Sequence, residues 1–210
     1  MNNREIERVA ETNNFLKPVL EGALKKQVLQ GPTAAQFPGC ATYLDVWQAH
    51  LSDRFFNIGS LIRAAASVET GLRDYYCLKK GYSNLSLLRQ DPLYKRNIFQ
   101  RIQPWNNVND SAIGLLKTIG VDLNTFAQFP RVQELVLHRH LYAHNLGVID
   151  DDYIQNLKRL TGTDLLADPG IVSAQSTQSY PAQDKVWLEP LGRIGAFIQA
   201  VRGLFAALPP

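Results

Sequence analysis

Apolar residues recur at every third or fourth position along most of the chain, which is the period of an amphipathic α-helix. Residues 3–29 carry this pattern and predict an N-terminal helix, which the Gly- and Pro-containing stretch 30–39 ends. The pattern then continues without proline over about 41–80. A helix of that length would measure about 60 Å, so we expect a kink near Gly59 or Gly71.

A less regular segment precedes the next strong helical pattern. Within residues 81–128 we expect one short helix, from near Asp110 to about Gly120. Pro130 suits the first turn of a helix, where its missing N–H removes no hydrogen bond. The apolar positions after it predict a helix over about 130–146.

The C-terminal part of the chain combines two helical patterns with a polar stretch. Asp150 or Asp151 suits the N-cap of a helix over DYIQNLKRL. Residues 161–186 are rich in Ser, Thr, Gly, Pro and Gln and predict a flexible loop, with KVWLEP at its end as a candidate extended piece. A last helix is expected over about 188–208, and it is too short to fold alone. The chain therefore predicts a single all-α domain over residues 1–210.

The composition is typical of a single domain with a hydrophobic core, and the distribution of charge adds one local feature. The chain has 210 residues, of which 45% are hydrophobic, and its net charge of +3 does not by itself indicate a nucleic-acid partner. Basic residues nevertheless concentrate between residues 73 and 101, where only Asp74 and Asp91 oppose them. Either this is an ordinary solvated face, or it attracts RNA phosphates. The candidate RNA-binding residues are Lys79, Lys80, Arg89, Lys95, Arg96 and Arg101.

Three features predict a cytoplasmic protein. Cys40 and Cys77 are too few for a disulfide framework, so we expect two reduced thiols. The N-terminus is charged from Arg4 onward, unlike a secretory signal peptide. No uncharged run approaches the ~20 apolar residues that a bilayer span needs, so we expect no membrane association.

The stretch LHRHLYAHNLGVIDDDY places three of the four histidines within seven positions, around one arginine. On a helical wheel Arg139 falls inside the apolar stripe of its helix. His140 and His144 lie between that stripe and a second apolar edge, so the wheel puts all three on the buried side. The wheel puts His138 on the exposed side. Ionisable groups in apolar surroundings tend to mark functional sites.

The arginine of this cluster needs a partner, because a buried guanidinium stays charged. Glu69, in the long upstream helix, is an internal candidate for an ion pair with Arg139. Arg139 and His144 are five positions apart, which is about 140° of rotation and ~7.5 Å of rise on an ideal helix. Two such side chains converge poorly on one small substrate, so the spacing favours a site completed by a second copy of the chain.

Three kinds of chemistry are compatible with the cluster. His140 and His144 have the i, i+4 spacing of a zinc site, but Leu141 replaces the glutamate of an HExxH motif and no third ligand stands nearby. Alternatively, imidazole and guanidinium groups could cleave a phosphodiester by acid–base catalysis, without a metal, because RNA carries its own nucleophile. The third interpretation is a helix–helix interface that satisfies the histidines structurally.

The residues around the cluster favour the second interpretation, because they resemble a known motif. The run RHLYAHNLGVIDDDY resembles the form RHxxxHNxGxxDxxY of stand-alone bacterial proteins of the HEPN superfamily, and it contains that superfamily's R-x4-6-H signature. The long helix that ends in SVETGLRDYY resembles the upstream HEPN helix that carries an acidic residue. A helix after KVWLEP is similar to the one that closes such domains.

This resemblance implies a HEPN-like helical bundle that acts as a metal-independent endoribonuclease and needs no cofactor. Arg139 would contact the scissile phosphate and His144 would be the acid–base group, leaving a 2′,3′-cyclic phosphate. Glu69, His140 and Asn145 would support them. The site would form across a homodimer.

The resemblance also implies a setting and leaves two alternatives open. Proteins of this kind act in defence or toxin–antitoxin systems, so an antitoxin or a defence-system protein is a candidate partner. One alternative is a HEPN domain that binds RNA or a nucleotide, or regulates a partner, without cleaving. The other is a purely structural helical subunit.

Overall fold

Ten α-helices and a three-stranded sheet make up the part of the chain that the computed structural model describes, namely residues 4–49, 52–145, 148–162, 172–175, 185–188 and 191–210. The first five helices are α1 Arg4–Glu11, α2 Lys17–Lys25, α3 Gly31–Gln36, α4 Tyr43–Ala49 and α5 Ser52–Lys80. The other five are α6 Leu85–Gln90, α7 Ala112–Lys117, α8 Phe129–Asn145, α9 Asp151–Thr161 and α10 Leu191–Ala207. The strands are β1 Val148–Ile149, β2 Val172–Gln175 and β3 Lys185–Leu188. The predicted all-α class is confirmed, with this small sheet as an addition.

The N-terminal segment departs from the single helix predicted over 3–29. A π-helical turn separates α1 from α2, and the helix ends at Lys25. Beyond that end the chain reverses direction. Two backbone hydrogen bonds connect the two sides of the reversal: Leu29 N donates to Ala41 O at 2.9 Å, and Tyr43 N donates to Gln27 O at 3.0 Å. The predicted helix was too long because Val28 continues the apolar period, although its side chain is exposed.

In the described chain, the helix predicted over about 41–80 corresponds to α4 and α5. Residues 50–51, between them, lie outside the described part of the chain. Helix α5 continues unbroken through Gly59 and Gly71, so neither glycine interrupts it.

Helix α5 is the centre of the core, where it packs against α1, α8 and α10. Its buried face includes Val68 and Leu72, which meet Val132 and Leu135 of α8 in one apolar cluster. Each such side chain contributes about 1.5–3 kcal/mol through its removal from water. Helix α8 also packs against α9 and α10, so it is covered on several sides.

Side-chain caps set the helix boundaries near α8. Ser111 Oγ accepts from Gly114 N at the start of α7, so the helix predicted from near Asp110 begins one residue beyond that cap. Asp150 Oδ1 accepts from Tyr153 N at 2.7 Å and caps α9, as predicted. Gly162 ends α9 in the left-handed conformation, with φ 69°. The helix predicted over 130–146 is confirmed as α8.

The sheet corrects the C-terminal predictions. Its strand order is β1-β3-β2 and both pairings are antiparallel, with Val148 opposite Val186 and Val172 opposite Leu188. Strand β2 lies within the segment predicted as a loop over 161–186, so that prediction is wrong for its four residues. The extended piece predicted for KVWLEP is confirmed as β3, and the last helix therefore begins at Leu191 rather than near 188. Residues 163–171 and 176–184 of the predicted loop lie outside the described residues.

Two smaller sequence predictions concern cysteines and membrane spans. Cys40 and Cys77 are free thiols, and both are half-buried. No described helix combines the length and the apolar character needed to cross a bilayer.

Candidate functional site

The C-terminal two turns of α8 carry the cluster that the sequence singled out. Arg139 and His140 are half-buried, and His144 is exposed rather than on the buried side. His138 is the reverse of its prediction, because none of its surface is exposed. The helical-wheel prediction for His138 was wrong because α9 and α10 both pack against α8. The most polar arc of α8 therefore faces these two helices instead of water.

His138 belongs to a buried polar group that the sequence did not indicate. Its Nε2 lies 3.6 Å from Oε1 of Glu134, which is one turn earlier and 2% exposed. Arg131 and Arg193 both donate to the same Glu134 carboxylate, so this group joins α8 to α10. The i, i+4 spacing of Glu134 and His138 is the sequence signal that could have revealed the pair.

Burial determines the charge state of this group. Burial lowers the pKa of His138 to about 4, against the pull of Glu134, so the imidazole is neutral near pH 7. Burial alone would raise the pKa of Glu134, but the neighbouring His138 imidazole and the charges of Arg193 and Arg131 outweigh it and lower that pKa. Within the described part of the chain, two arginines already face the one carboxylate of this group, so a proton on His138 would add to an existing excess of positive charge. The group fixes the orientation of α8.

Arg139 lines a narrow pocket with Glu69, Gln100 and His140. The predicted ion pair is absent: within the described chain Arg139 and Glu69 do not approach within salt-bridge distance. Glu69 Oε2 instead accepts from Gln100 Nε2 at 2.9 Å. The pocket has a volume of about 10 Å³, enough for a single water molecule. Arg139 and Glu69 therefore line the same pocket without forming an ion pair.

His140 and His144 form a stacked pair. Their ring centroids are 5.6 Å apart and their planes are inclined by 16°. Burial lowers the pKa of His140, and the nearby charges of Arg139 and His144 lower it further. His140 is therefore a neutral imidazole at pH 7 and can accept a proton there.

A larger cleft opens on the other side of His140, and we call it the amide cleft. Its volume is about 370 Å³, within the range of small-molecule sites. Its lining is polar apart from an indole and a leucine, and it includes Asn97, Gln100, Arg101, Gln103, Trp105, Asn106 and Asn156. The guanidinium of Arg159 lies over the Trp105 ring, 5.5 Å from its centroid.

A third pocket, of about 180 Å³, contains His144, and we call it the His144 pocket. Asp150, Asp152 and Asn156 also line it, as does His140. His140 is thus common to the Arg139 pocket, the amide cleft and the His144 pocket. Arg139 and His144 lie in different pockets of the same protomer, on either side of His140.

Only one of the predicted RNA-binding residues reaches these pockets. Arg101 is exposed and lines the amide cleft. The others, Lys79, Lys80, Arg89, Lys95 and Arg96, are exposed but line none of the three pockets. Lys95 forms an ion pair with Asp110, which reduces its availability to another anion.

Other sequence predictions about this site have different outcomes. The side chain of Asn145 lies outside the described residues. Among the residues described, no group of three or more His, Cys, Asp or Glu side chains is arranged to hold a metal ion. The amide side chains of the cleft were missed because they come from 97–106 and α9, far from the motif in sequence, and amides follow no apolar period.

Comparison of the chain with protein-family models, with curated proteins and with solved structures found no match in any of the three. Its residues and their geometry are thus the basis for a functional assignment. They place the His140 imidazole in the lining of three pockets, with the Arg139 guanidinium in one of them and the His144 imidazole in another. Such groups can bind a phosphate, accept a proton and return one.

Proposed function

We propose that the protein is a metal-independent endoribonuclease of the HEPN type. The observation that carries the proposal is the position of His140, which lines three adjoining pockets with Arg139 on one side and the stacked His144 on the other. These three residues also belong to the run that resembles the HEPN motif. No cofactor is needed, because the nucleophile belongs to the RNA.

The proposed reaction is an internal transesterification. The ribose 2′-oxygen attacks the adjacent phosphorus, the bond from phosphorus to the 5′-oxygen breaks, and a 2′,3′-cyclic phosphate remains. His144 supplies acid–base catalysis, and the guanidinium of Arg139 stabilises the negative charge on the phosphate oxygens. His140, whose pKa is lowered, is neutral and can take the proton from the 2′-hydroxyl while a protonated His144 gives one to the leaving oxygen. Glu69 holds Gln100 and so shapes the wall beside Arg139.

A homodimer is the second part of the proposal. Arg139 and His144 line different pockets of one protomer, so one copy does not direct both side chains at the same phosphate. A two-fold axis near the exposed end of α8 would bring Arg139 of one copy towards His144 of the other. His144 is exposed and therefore available for such a contact.

The biological setting follows from the resemblance alone. We infer a cytoplasmic protein of a bacterial defence or toxin–antitoxin system, controlled by an antitoxin or another defence protein. A ribonuclease of broad activity would be harmful unless a partner restrained it. Co-purification with proteins encoded nearby would identify that partner.

A non-cleaving HEPN subunit that binds RNA or a nucleotide is the second candidate function. The observation that favours it is the size of the Arg139 pocket, which at about 10 Å³ has no room for a phosphate group. On that alternative the amide cleft would be the binding site, and Arg139 would serve the structure only. It predicts RNA binding without any cleavage.

The test is cleavage of a labelled RNA mixture in EDTA by the wild type and by Arg139→Ala and His144→Ala. Arg8→Ala is the matched control, because it removes an exposed arginine of α1 outside these pockets. Circular dichroism and melting curves establish that each variant folds. We expect the wild type and Arg8→Ala to cut, leaving a cyclic phosphate, and the two site variants to lose at least about 100-fold in rate. RNA binding without cleavage by every protein would establish the second candidate instead.

A further inference from the structure

Two residues separate the Arg139 pocket from the amide cleft. Gln100 and His140 line both of these spaces. The Arg139 pocket has a volume of about 10 Å³, whereas the amide cleft beside it has a volume of about 370 Å³. Gln100 and His140 therefore form a partition between a space that holds one water molecule and a space of small-molecule size.

Gln100 is the part of this partition that can move. It ends a short 3₁₀ turn, Ile98–Gln100, whose other two residues are 1% and 4% exposed and anchor the backbone. Gln100 itself is half-buried, and within the described chain its side chain makes one hydrogen bond, from Nε2 to Glu69 Oε2 at 2.9 Å. Rotation of this side chain therefore breaks one hydrogen bond and leaves the backbone in place.

The hydrogen bond to Glu69 holds the Gln100 amide on the Arg139 side of the partition, because Glu69 lines the Arg139 pocket and not the amide cleft. Release of the amide would join the two spaces. Arg139 would then lie in the same cleft as the exposed Arg101. Two guanidinium groups along one cleft suit the phosphates of a nucleic-acid backbone.

We propose that Gln100 is the gating residue of the candidate site. Its hydrogen bond to Glu69 closes the Arg139 pocket, and its release opens that pocket to a phosphate in the amide cleft. The inference rests on the proposed ribonuclease function for the identity of this phosphate, which belongs to RNA. It explains how an arginine in so small a pocket can reach a phosphate. Gln100 is a positioning residue, because it acts through access to Arg139 and not on the reacting atoms.

The test is the rate at which phenylglyoxal, a reagent for arginine side chains, modifies Arg139 in the full chain, followed by mass spectrometry of its peptides. Gln100→Ala removes the gate. Gln90→Ala is the matched control, because Gln90 is exposed and lines neither space. The exposed Arg101 is the internal reference in every protein. Melting curves establish that each variant folds.

A double variant separates the hydrogen bond from the bulk of the Gln100 side chain. Gln100→Glu combined with Glu69→Gln exchanges the two side chains, so an amide at position 69 can donate to a carboxylate at position 100. The exchange keeps the net charge and the size of both side chains. It should therefore keep the gate closed.

We expect Gln100→Ala to raise the rate at Arg139, relative to Arg101, by at least about fivefold, because the rate follows the fraction of molecules whose pocket is open. Gln90→Ala and the exchanged pair should stay within about twofold of the wild type. A rate at Arg139 that Gln100→Ala leaves unchanged would overturn the gate. A rate that the exchange raises as much as Gln100→Ala does would overturn the role of the hydrogen bond to Glu69.

Cleavage of labelled RNA in EDTA separates this inference from the proposed function. Faster modification of Arg139 in Gln100→Ala, in a protein that cuts no RNA, would refute the ribonuclease and leave the gate standing. Cleavage that depends on Arg139, with modification of Arg139 unaffected by Gln100→Ala, would refute the gate and leave the ribonuclease standing.

Discussion

Acidification should destabilise the protein through His138 before the carboxylates become protonated. In the folded chain this imidazole is fully buried against Tyr153 and Phe197, with ring centroids 5.9 and 5.3 Å away. Among the described residues, the charged groups that face it are Glu134, Arg131 and Arg193, and the charges of these three sum to +1. A proton on His138 would add a second uncompensated positive charge, so the folded state resists protonation there.

The magnitude follows from the two pKa values. Unfolding returns His138 to its ordinary pKa of 6.5, whereas burial lowers its pKa to about 4 in the folded protein. The unfolded state therefore binds more protons below pH 6.5, and stability falls as the pH falls. At 1.36 kcal/mol per pH unit, His138 alone should remove about 2 kcal/mol between pH 6.5 and 5, and about 3 kcal/mol by pH 4.

Urea unfolding followed by circular dichroism at pH 7, 6.5, 5.5 and 5 measures this loss. In that window Glu134, whose pKa is lowered, stays ionised in the folded protein and contributes only a small slope. His138→Gln is the comparison, because glutamine is neutral at every pH used and can still donate to Glu134. The variant should be less stable at pH 7, yet its stability should change by about 2 kcal/mol less than that of the wild type between pH 6.5 and 5. Parallel pH profiles for the two proteins would refute a neutral, buried His138.

Two further expectations concern packing and charge. A Cβ added at Gly114 would clash with the backbone carbonyl of Val108, so Gly114→Ala should lower the free energy of unfolding by about 1–3 kcal/mol, as measured by urea denaturation. A melting temperature equal to the wild type would contradict that packing. Arg101→Ala should reduce the slope of log K against log salt for single-stranded RNA by about 0.7, whereas Lys95→Ala should change it less, because Lys95 already pairs with Asp110. An unchanged slope for Arg101→Ala would show that this arginine does not contact the RNA backbone.

Local signals in the sequence were sufficient to predict α8 and α9, the helices that carry the motif. Pro130 in the first turn of α8 and the Asp150 cap of α9 act within a few residues of the backbone that they stabilise, so short-range chemistry determines them. The same holds for the extended KVWLEP segment, whose β-branched and aromatic residues favour a strand.

Long-range packing decided the features that the sequence did not reveal. Helix α8 is buried around most of its circumference, polar residues included, so a helical wheel does not show which arc meets α9 and α10, and His138 was assigned to the wrong side. Strand β2 needs β3 as a partner, and a short polar segment gives no sign of that partner. Val28 and Phe15 extend the apolar period of the N-terminal segment although both are exposed, which moved the predicted helix end.

The residues of the candidate site likewise fall into two groups: those that the local sequence revealed and those that depend on long-range packing. The motif revealed Arg139, His140 and His144, because three ionisable residues stand close together in sequence. Gln100 and Asn106 were not identified, because their place beside His140 depends on how the 97–106 segment folds against α8.

The claim that Arg139 and His144 act on one phosphate from different protomers can be tested by complementation. Arg139→Ala and His144→Ala are mixed in equal amounts, allowed to exchange subunits, and assayed for cleavage of labelled RNA in EDTA. Half of the dimers then contain one copy of each variant, and each of these has one intact site out of two, so the mixture should recover about a quarter of the wild-type rate while each variant alone stays inactive. A mixture as inactive as its components, beside an active wild type, would contradict a site shared between the two copies.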